Sequence, residues 1–431
     1  MPEPTLRGTR QLALEVAESI GRRLVNEAFW AGECCTWLAA ESVDYRMRRR
    51  SDTYRAVDRW LYDGSAGIAV FLAALATATG DAKARRTACG AIAHALRDAE
   101  GAAPPHRLGL YSGWSGVAVA CLLVGHSLRQ DALLDQASRV ARRSLVPYAA
   151  RGQEFDLIGG HAGDLLAALG LLRRLGDPLL LDAALRLGQR LADTAQIEKG
   201  QASWATPTAA GNRHLLGLSH GTAGAALALL ELWSQVRDDS LRELAHAALA
   251  YEARWFSPAQ QNWPDLRDVA ARRNPRTPRY SVFWCHGAPG VALARMRAHE
   301  LLADAASASD ASAALSTTRR EIQAYLQAGT GNFSLCHGLA GLGDVLLSAQ
   351  RFGHAQAEDA QQLTAIVRTA HANHASTGES WPCGTHGGET PGAMLGLAGI
   401  GHFHLSVADL SQQSLLLPLV PAAQISIPAS V

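Results

Sequence analysis

The chain has 431 residues, 48% of them hydrophobic and 18% charged, enough apolar material for a large core. Forty basic residues against 39 acidic leave a net charge of +1, so no broad basic face exists and no nucleic-acid partner is expected.

In chain order, residues 10–30 (RQLALEVAESIGRRLVNEAFW) read as an amphipathic helix with charges where a signal peptide needs its apolar centre. The basic run Arg46–Arg50, broken only by Met47, reads as a solvated loop, as does Arg272–Arg279 further on. From residue 61 a pattern Gly-x-(small or Pro)-Gly recurs seven times: DGSAG (Gly64, Gly67), SGWSG (Gly113, Gly116), GHAG (Gly160, Gly163), HGTAG (Gly221, Gly224), HGAPG (Gly287, Gly290), HGLAG (Gly338, Gly341) and LGLAG (Gly396, Gly399). Each copy opens an apolar stretch such as IAVFLAALA or VAVACLLVG. Between copies lies a second helix, polar on one side. In LDAALRLGQRLADT the expected buried stripe is Leu181, Ala184, Leu185, Gly188, Leu191 and Ala192.

Each repeat is therefore an inner apolar helix plus an outer amphipathic one, with no alternating strand pattern of comparable strength. An open superhelix would leave the inner helices wet on one face, so the pairs should close. The expected fold is all-α, a seven-fold α/α toroid forming one domain over 1–431. Its parts are a leading outer helix and loop in 1–60, the glycine turns in 61–404 and a tail in 405–431. All seven glycine turns then share one rim. No apolar run reaches the roughly 18–20 residues that span a bilayer. The seven cysteines have irregular spacing and suggest no disulfide framework. A cytoplasmic protein with reduced thiols, not inserted in a membrane, is the expectation.

Two rim segments, SVFWCHGAPG and NFSLCHGLAG, both carry Cys-His-Gly. Cys285 and Cys336 should lie side by side at helix N-termini, which favour thiolates and hence a soft cation. With one histidine they make a Cys₂His set with an open fourth position, the mark of catalytic zinc. Sequence symmetry leaves His286 and His337 equally eligible as third ligand. His220, in GLSHGTAG, is set in repeat four where the cysteines stand in theirs. Asp156, in FDLIGGHAG, precedes its turn by four residues. An imidazole near a metal can move protons, and a carboxylate can orient it. The polar stretches 197–216 and 257–280 are candidate peptide-holding loops. Cys383, in WPCGTHGG, is the residue that could close the metal site.

These residues resemble the lanthionine synthetase C-like family, the zinc-dependent lanthipeptide cyclases, from about Leu61 to His404. The segments CTWLAA, LYDGSAGIAVFLA and LGLAGIGHFHL further resemble the cyclase half of bifunctional class II synthetases. The resemblance implies a double-layered ring of seven inner and seven outer helices. It implies one zinc per chain held by Cys285, Cys336 and His337, a catalytic His220 with Asp156, and Trp284 as a pocket wall. Some members carry Tyr in place of His286, which implies a pocket residue that does not ligate. Members often have an arginine three residues before the tryptophan. Ser281 stands there in this chain, and Arg279 is the nearest candidate for stabilising an enolate.

The implied reaction adds a cysteine thiolate of a leader-bearing precursor peptide to a dehydroalanine or dehydrobutyrine of the same peptide, leaving a thioether ring. No kinase-like or phosphate-loop motif is present to dehydrate the substrate, so a separate dehydratase is expected. The rivals are glutathione addition to dehydroamino acids in proteins, and a non-enzymatic toroid that keeps zinc for shape.

Overall fold

The computed structural model describes residues 3–40, 54–97, 99, 108–148, 154–206, 214–267, 278–329, 331–385 and 388–418. Arg46–Arg50, most of Arg272–Arg279 and parts of both candidate loops lie outside the described residues. Seven helices follow the glycine turns: α2 (Ser65–Thr79), α4 (Trp114–Leu128), α6 (His161–Leu175), α8 (Thr222–Val236), α10 (Ala288–Leu302), α12 (Leu339–Arg351) and α14 (Leu397–Ala408). Alternating with them are α1 (Glu3–Asn26), α3 (Ala82–Leu96), α5 (Asp131–Tyr148), α7 (Pro178–Thr194), α9 (Asp239–Ala253), α11 (Ala305–Ala328) and α13 (Asp359–Ala370). Each inner helix packs on the next, α14 returns to α2, and α1 serves as the outer partner of α14. First and last helices thus close a double ring, the all-α toroid expected from the repeats.

Three short antiparallel hairpins sit in the connections: β1 (Phe29–Ala31) with β2 (Cys34–Thr36), β3 (Leu38–Ala40) with β4 (Tyr54–Ala56), and β5 (Gln196–Glu198) with β6 (Gln201–Ser203). Strands of three residues leave no periodicity to read. All seven cysteines are free. Among the described residues no helix is long and apolar enough to cross a membrane.

The glycine pattern has a steric cause. A Cβ on Gly116 would meet the Leu110 carbonyl oxygen at 1.9 Å, and one on Gly341 would meet that of Leu335 at 1.9 Å. The first helical turn therefore sits directly on the incoming chain, six residues back. That contact also fills the helix N-terminus. Ser65 N–H donates to Asp58 O, His161 N–H to Glu154 O and Leu397 N–H to Thr390 O, each seven residues earlier. None of these inner helices has a side-chain cap. A cap is worth about 1 kcal/mol, whereas each buried Leu, Val or Phe contributes about 1.5–3 kcal/mol; burial of the whole inner layer makes caps dispensable.

Backbone hydrogen bonds run from turn to turn around the rim. Tyr62 N–H donates to Tyr111 O, Tyr111 to Ile158, Leu157 to Ser219, Trp284 to Cys336, Cys336 to Met394, and Met394 back to Tyr62. The gap between repeats four and five is bridged by Ser219 Oγ, which donates to Cys285 O at 2.9 Å. This belt holds side chains from distant sequence positions in fixed order.

The buried stripe of α7 is Leu180, Ala183, Ala184, Leu187, Gly188 and Leu191, rotated from the expected one, and Leu185 is 44% exposed. PLLLDAALRL has more leucines than one face can use. Close approach decides between faces: a Cβ at Gly188 would touch Leu232 Cδ2 at 2.3 Å, so the face holding Ala183, Ala184 and Gly188 turns inward.

The inner layer also holds charge. Glu231 of α8, fully buried, accepts from Arg173 of α6 at 2.6 Å and Arg297 of α10 at 2.5 Å, and these arginines outweigh burial to keep its pKa below the usual 4.5. Glu231→Gln would remove the counter-charge that Arg173 and Arg297 share, leaving Arg297 the more exposed Glu300. We expect a loss of about 3–5 kcal/mol of stability, read as a lower urea midpoint with an unchanged denaturant slope.

Candidate active site

The Cys-His-Gly segments meet because Trp284 N–H bonds Cys336 O at 3.1 Å, joining the two turns directly. The Cys285 and Cys336 thiols lie close enough for each to act on the other's ionisation. Cys336 is held below the usual thiol range by the neighbouring Cys285 thiol, against burial and with help from the Tyr62 hydroxyl. Cys285 is pushed well up by the Cys336 sulfur and by burial. The expectation that helix N-termini would ionise both thiols is thus corrected: the two shift in opposite directions, Cys336 down and Cys285 up.

His337 lies beside the pair, close enough for its charge to act on Cys285. Its Nε2 pairs with Gly384 O at 3.1 Å. An imidazole that donates one N–H to a backbone carbonyl presents its other nitrogen as a lone pair, the usual arrangement of a histidine metal ligand. Among the described residues no three His, Cys, Asp or Glu side chains already form a metal-binding group. Two neighbouring sulfurs beside an imidazole of fixed tautomer nevertheless match the chemistry of a soft cation. Cys383 does not face this set. Its thiol contacts Thr390 O at 3.9 Å, and burial pushes it up to about 12.

Across the rim, His220 Nδ1 pairs with Asp156 Oδ2 at 2.5 Å, while Asp156 Oδ1 accepts from Gly159 N–H at 2.9 Å. The carboxylate is therefore fixed from its own turn, and the Nε2 edge of His220, whose side chain is 37% exposed, remains available to substrate. Burial lowers the His220 pKa, but the bond and charge of Asp156, with Cys285 nearby, outweigh it and hold the imidazole above 6.5. The register differs from the sequence reading by one residue. Ser219, two before its glycine, matches Cys285 and Cys336; His220 matches His286 and His337.

His286 is buried and stacks on His220 with ring centroids 5.9 Å apart. Its Nε2 is buried with no hydrogen-bond partner among the described residues, and burial, with Arg267 nearby, takes its pKa to about 3. It therefore stands in the site as a neutral ring. Trp284 is only 1% exposed and donates from Nε1 to Leu416 O at 3.0 Å, while Tyr111 donates to Leu415 O at 2.8 Å. Ser414 bonds Asp344 of α12. Repeats two, five and six share only the ring interior, so residues 414–417 run through it. Trp284 braces the site from behind rather than lining it openly.

Arg279 is not brought to the site by its side chain, which is exposed; its carbonyl accepts from Asp265 N–H at 2.7 Å. The guanidinium that faces the cysteines belongs to Arg267, which sequence reasoning missed. It pairs with Asp265 through Nε at 3.1 Å and Nη2 at 2.8 Å. Burial works against its charge, but Asp265 and then Cys285 and Cys336 raise its pKa. Asp265 is buried, yet Arg267 pulls it to about 2. Ser281, standing where the resemblance implies an arginine, donates to Asp265 Oδ2 at 3.3 Å. Ser281 thus holds the carboxylate that aims Arg267, and Arg279 holds the backbone of the same Asp265. The Asp-x-Arg spacing in PDLR was the available signal, but nothing local says where that loop folds.

The rim thus holds a thiol pair, an adjacent imidazole, an Asp–His dyad, a neutral histidine and an oriented guanidinium. The model of the family described as lanthionine synthetase C-like protein matches residues 56–421. Among solved structures, a nisin cyclase superposes with a TM-score of 0.61 at 16% identity, covering 84% of this chain and 92% of that one. An unsaturated glucuronyl hydrolase specific for heparin gives 0.44 at 12% identity over 86% and 98% of the two chains. A sugar epimerase from a ruminal bacterium gives 0.46 at 11% over 94% and 99%. At 16% identity the first likeness concerns the fold alone, and the last two are too distant to carry any argument.

Proposed function

Because the chain belongs to the lanthionine synthetase C-like family, we propose that it is a lanthipeptide cyclase, closing thioether rings in a precursor peptide dehydrated by a separate enzyme. The observation that carries this reading is the thiol pair set against the Asp156–His220 dyad on one rim. Cys285, Cys336 and His337 would hold one zinc, which when bound supplies a Lewis acid that lowers the pKa of an incoming thiol.

The reaction is an addition with no redox change. The substrate cysteine loses its thiol proton, and its sulfur pair forms a bond to the β-carbon of the dehydroamino acid. The π pair of the C=C bond moves toward the carbonyl oxygen, and a proton is delivered to the α-carbon. His220 is the group that carries the proton, with Asp156 fixing its ring. Arg267 opposes the negative charge that develops on the carbonyl oxygen. His286 packs against His220 and keeps water from that face.

Incubation with dehydrated peptide tests this. Ring closure leaves mass unchanged, so the readout is loss of maleimide-reactive thiols and fewer fragments in tandem mass spectra. A glutathione adduct on a dehydrated protein, without ring closure, would favour the rival reaction; neither would favour a non-enzymatic toroid.

The dyad also sets a pH dependence. The raised His220 pKa predicts a limb in the rate–pH profile above 6.5. Asp156→Asn removes the raising partner, so that limb should move down. The same coupling contributes folding stability that is full below the unfolded pKa of about 6.5 and lost as pH rises through the folded value.

A further inference from the structure

The belt of rim hydrogen bonds puts seven residues in one register, each two before its first glycine: Tyr62, Tyr111, Ile158, Ser219, Cys285, Cys336 and Met394. Tyr62 thus occupies in repeat one the place that the cysteines occupy in repeats five and six. Its backbone is pinned on both sides, N–H to Tyr111 O at 3.0 Å and carbonyl to Met394 N–H at 2.7 Å. Its ring packs edge-on against Tyr111 with centroids 6.3 Å apart. With main chain and ring both fixed, the hydroxyl reaches Cys336 Sγ at 3.1 Å.

From this contact we propose that Tyr62 is a positioning residue that donates a hydrogen bond to the Cys336 sulfur and holds it back as a nucleophile, so that addition goes through the substrate thiol. The inference rests on the metal reading above. Two thiolates beside a dehydroamino acid would otherwise compete with the peptide's own sulfur, and attack by either would alkylate the protein. Cys285 and Cys336 do not face that risk equally. The charge of Arg267 acts on both sulfurs, and Cys336 has in addition the Tyr62 hydroxyl directly on it. A donor on a sulfur lone pair stabilises that pair, reducing both its charge donation to a metal and its attack on carbon.

Cobalt(II) substituted for zinc reports this directly. In Tyr62→Phe the thiolate-to-cobalt charge-transfer band should move to lower energy, and in the zinc-loaded protein iodoacetamide should modify Cys336 about tenfold faster by peptide mapping, the worth of one such hydrogen bond. A merely structural role for the ring would move neither. Should Tyr62→Phe not fold, uniform 3-fluorotyrosine, a stronger donor, should move the band of the otherwise unaltered protein to higher energy. Cobalt bound with bands and alkylation rates identical in all forms overturns the role of Tyr62 alone. Failure of every form to bind cobalt overturns it together with the metal reading.

Discussion

Replacing His220 by alanine should slow ring closure by about 10²- to 10⁴-fold without altering metal content. The size follows from what the site offers for moving a proton. His286 is the other imidazole on this face, and it is buried with a pKa near 3, too weak a base to substitute. Asp156 bonds the Nδ1 edge and is held by its own turn, so it cannot swing into the vacated space. Asp156→Asn should cost less, because the ring remains, and should shift the pH profile rather than abolish activity. A His220→Ala protein that cyclised at the normal rate with the normal profile would remove the dyad from the mechanism. The measurement is single-turnover thiol loss on a dehydrated peptide from pH 5.5 to about 9, a range that brackets an ordinary imidazole.

Arg267→Met should lower kcat by about 10²- to 10³-fold, the usual loss when a group that opposes developing oxyanion charge is removed, with KM changed much less. The geometry distinguishes Arg267 from its neighbour. Arg279→Met should be nearly silent, since Arg279 contributes its carbonyl and not its guanidinium. Arg267→Lys should recover little, because the two-point pairing with Asp265 that fixes the fork cannot be made by an ammonium group. The reverse pattern, a silent Arg267→Met and a deficient Arg279→Met, would return the role to Arg279.

The parts of this molecule that sequence disclosed are those where geometry forces a residue type. Gly116 and Gly341 cannot carry a side chain against a carbonyl 1.9 Å away, so the repeat is stamped on the chain and the ring follows from counting it. Cys285, Cys336 and the histidines that follow them are legible for the same reason, each Cys-His pair leading into such a glycine, but the repeat does not choose between His286 and His337; only the family resemblance does. What sequence did not disclose depends on contacts between distant segments. Arg267 reaches the cysteines only because Asp265 pairs with the Arg279 backbone and Ser281. The unequal ionisation of the thiols comes from each other and from Tyr62, more than two hundred residues earlier. The phase of α7 was set by Leu232 against Gly188, which periodicity in a leucine-rich stretch does not reveal. Residues 414–417, expected as a plain tail, are held by Tyr111, Trp284 and Asp344 inside the ring.

A zinc K-edge absorption spectrum of purified protein, with metal content by mass spectrometry, examines the thiol pair and its imidazole directly. One zinc per chain with two sulfurs, one nitrogen and one light oxygen at about 2.0–2.3 Å is the expected result. Absence of stoichiometric metal, or a closed shell of three sulfurs and one nitrogen, would contradict it.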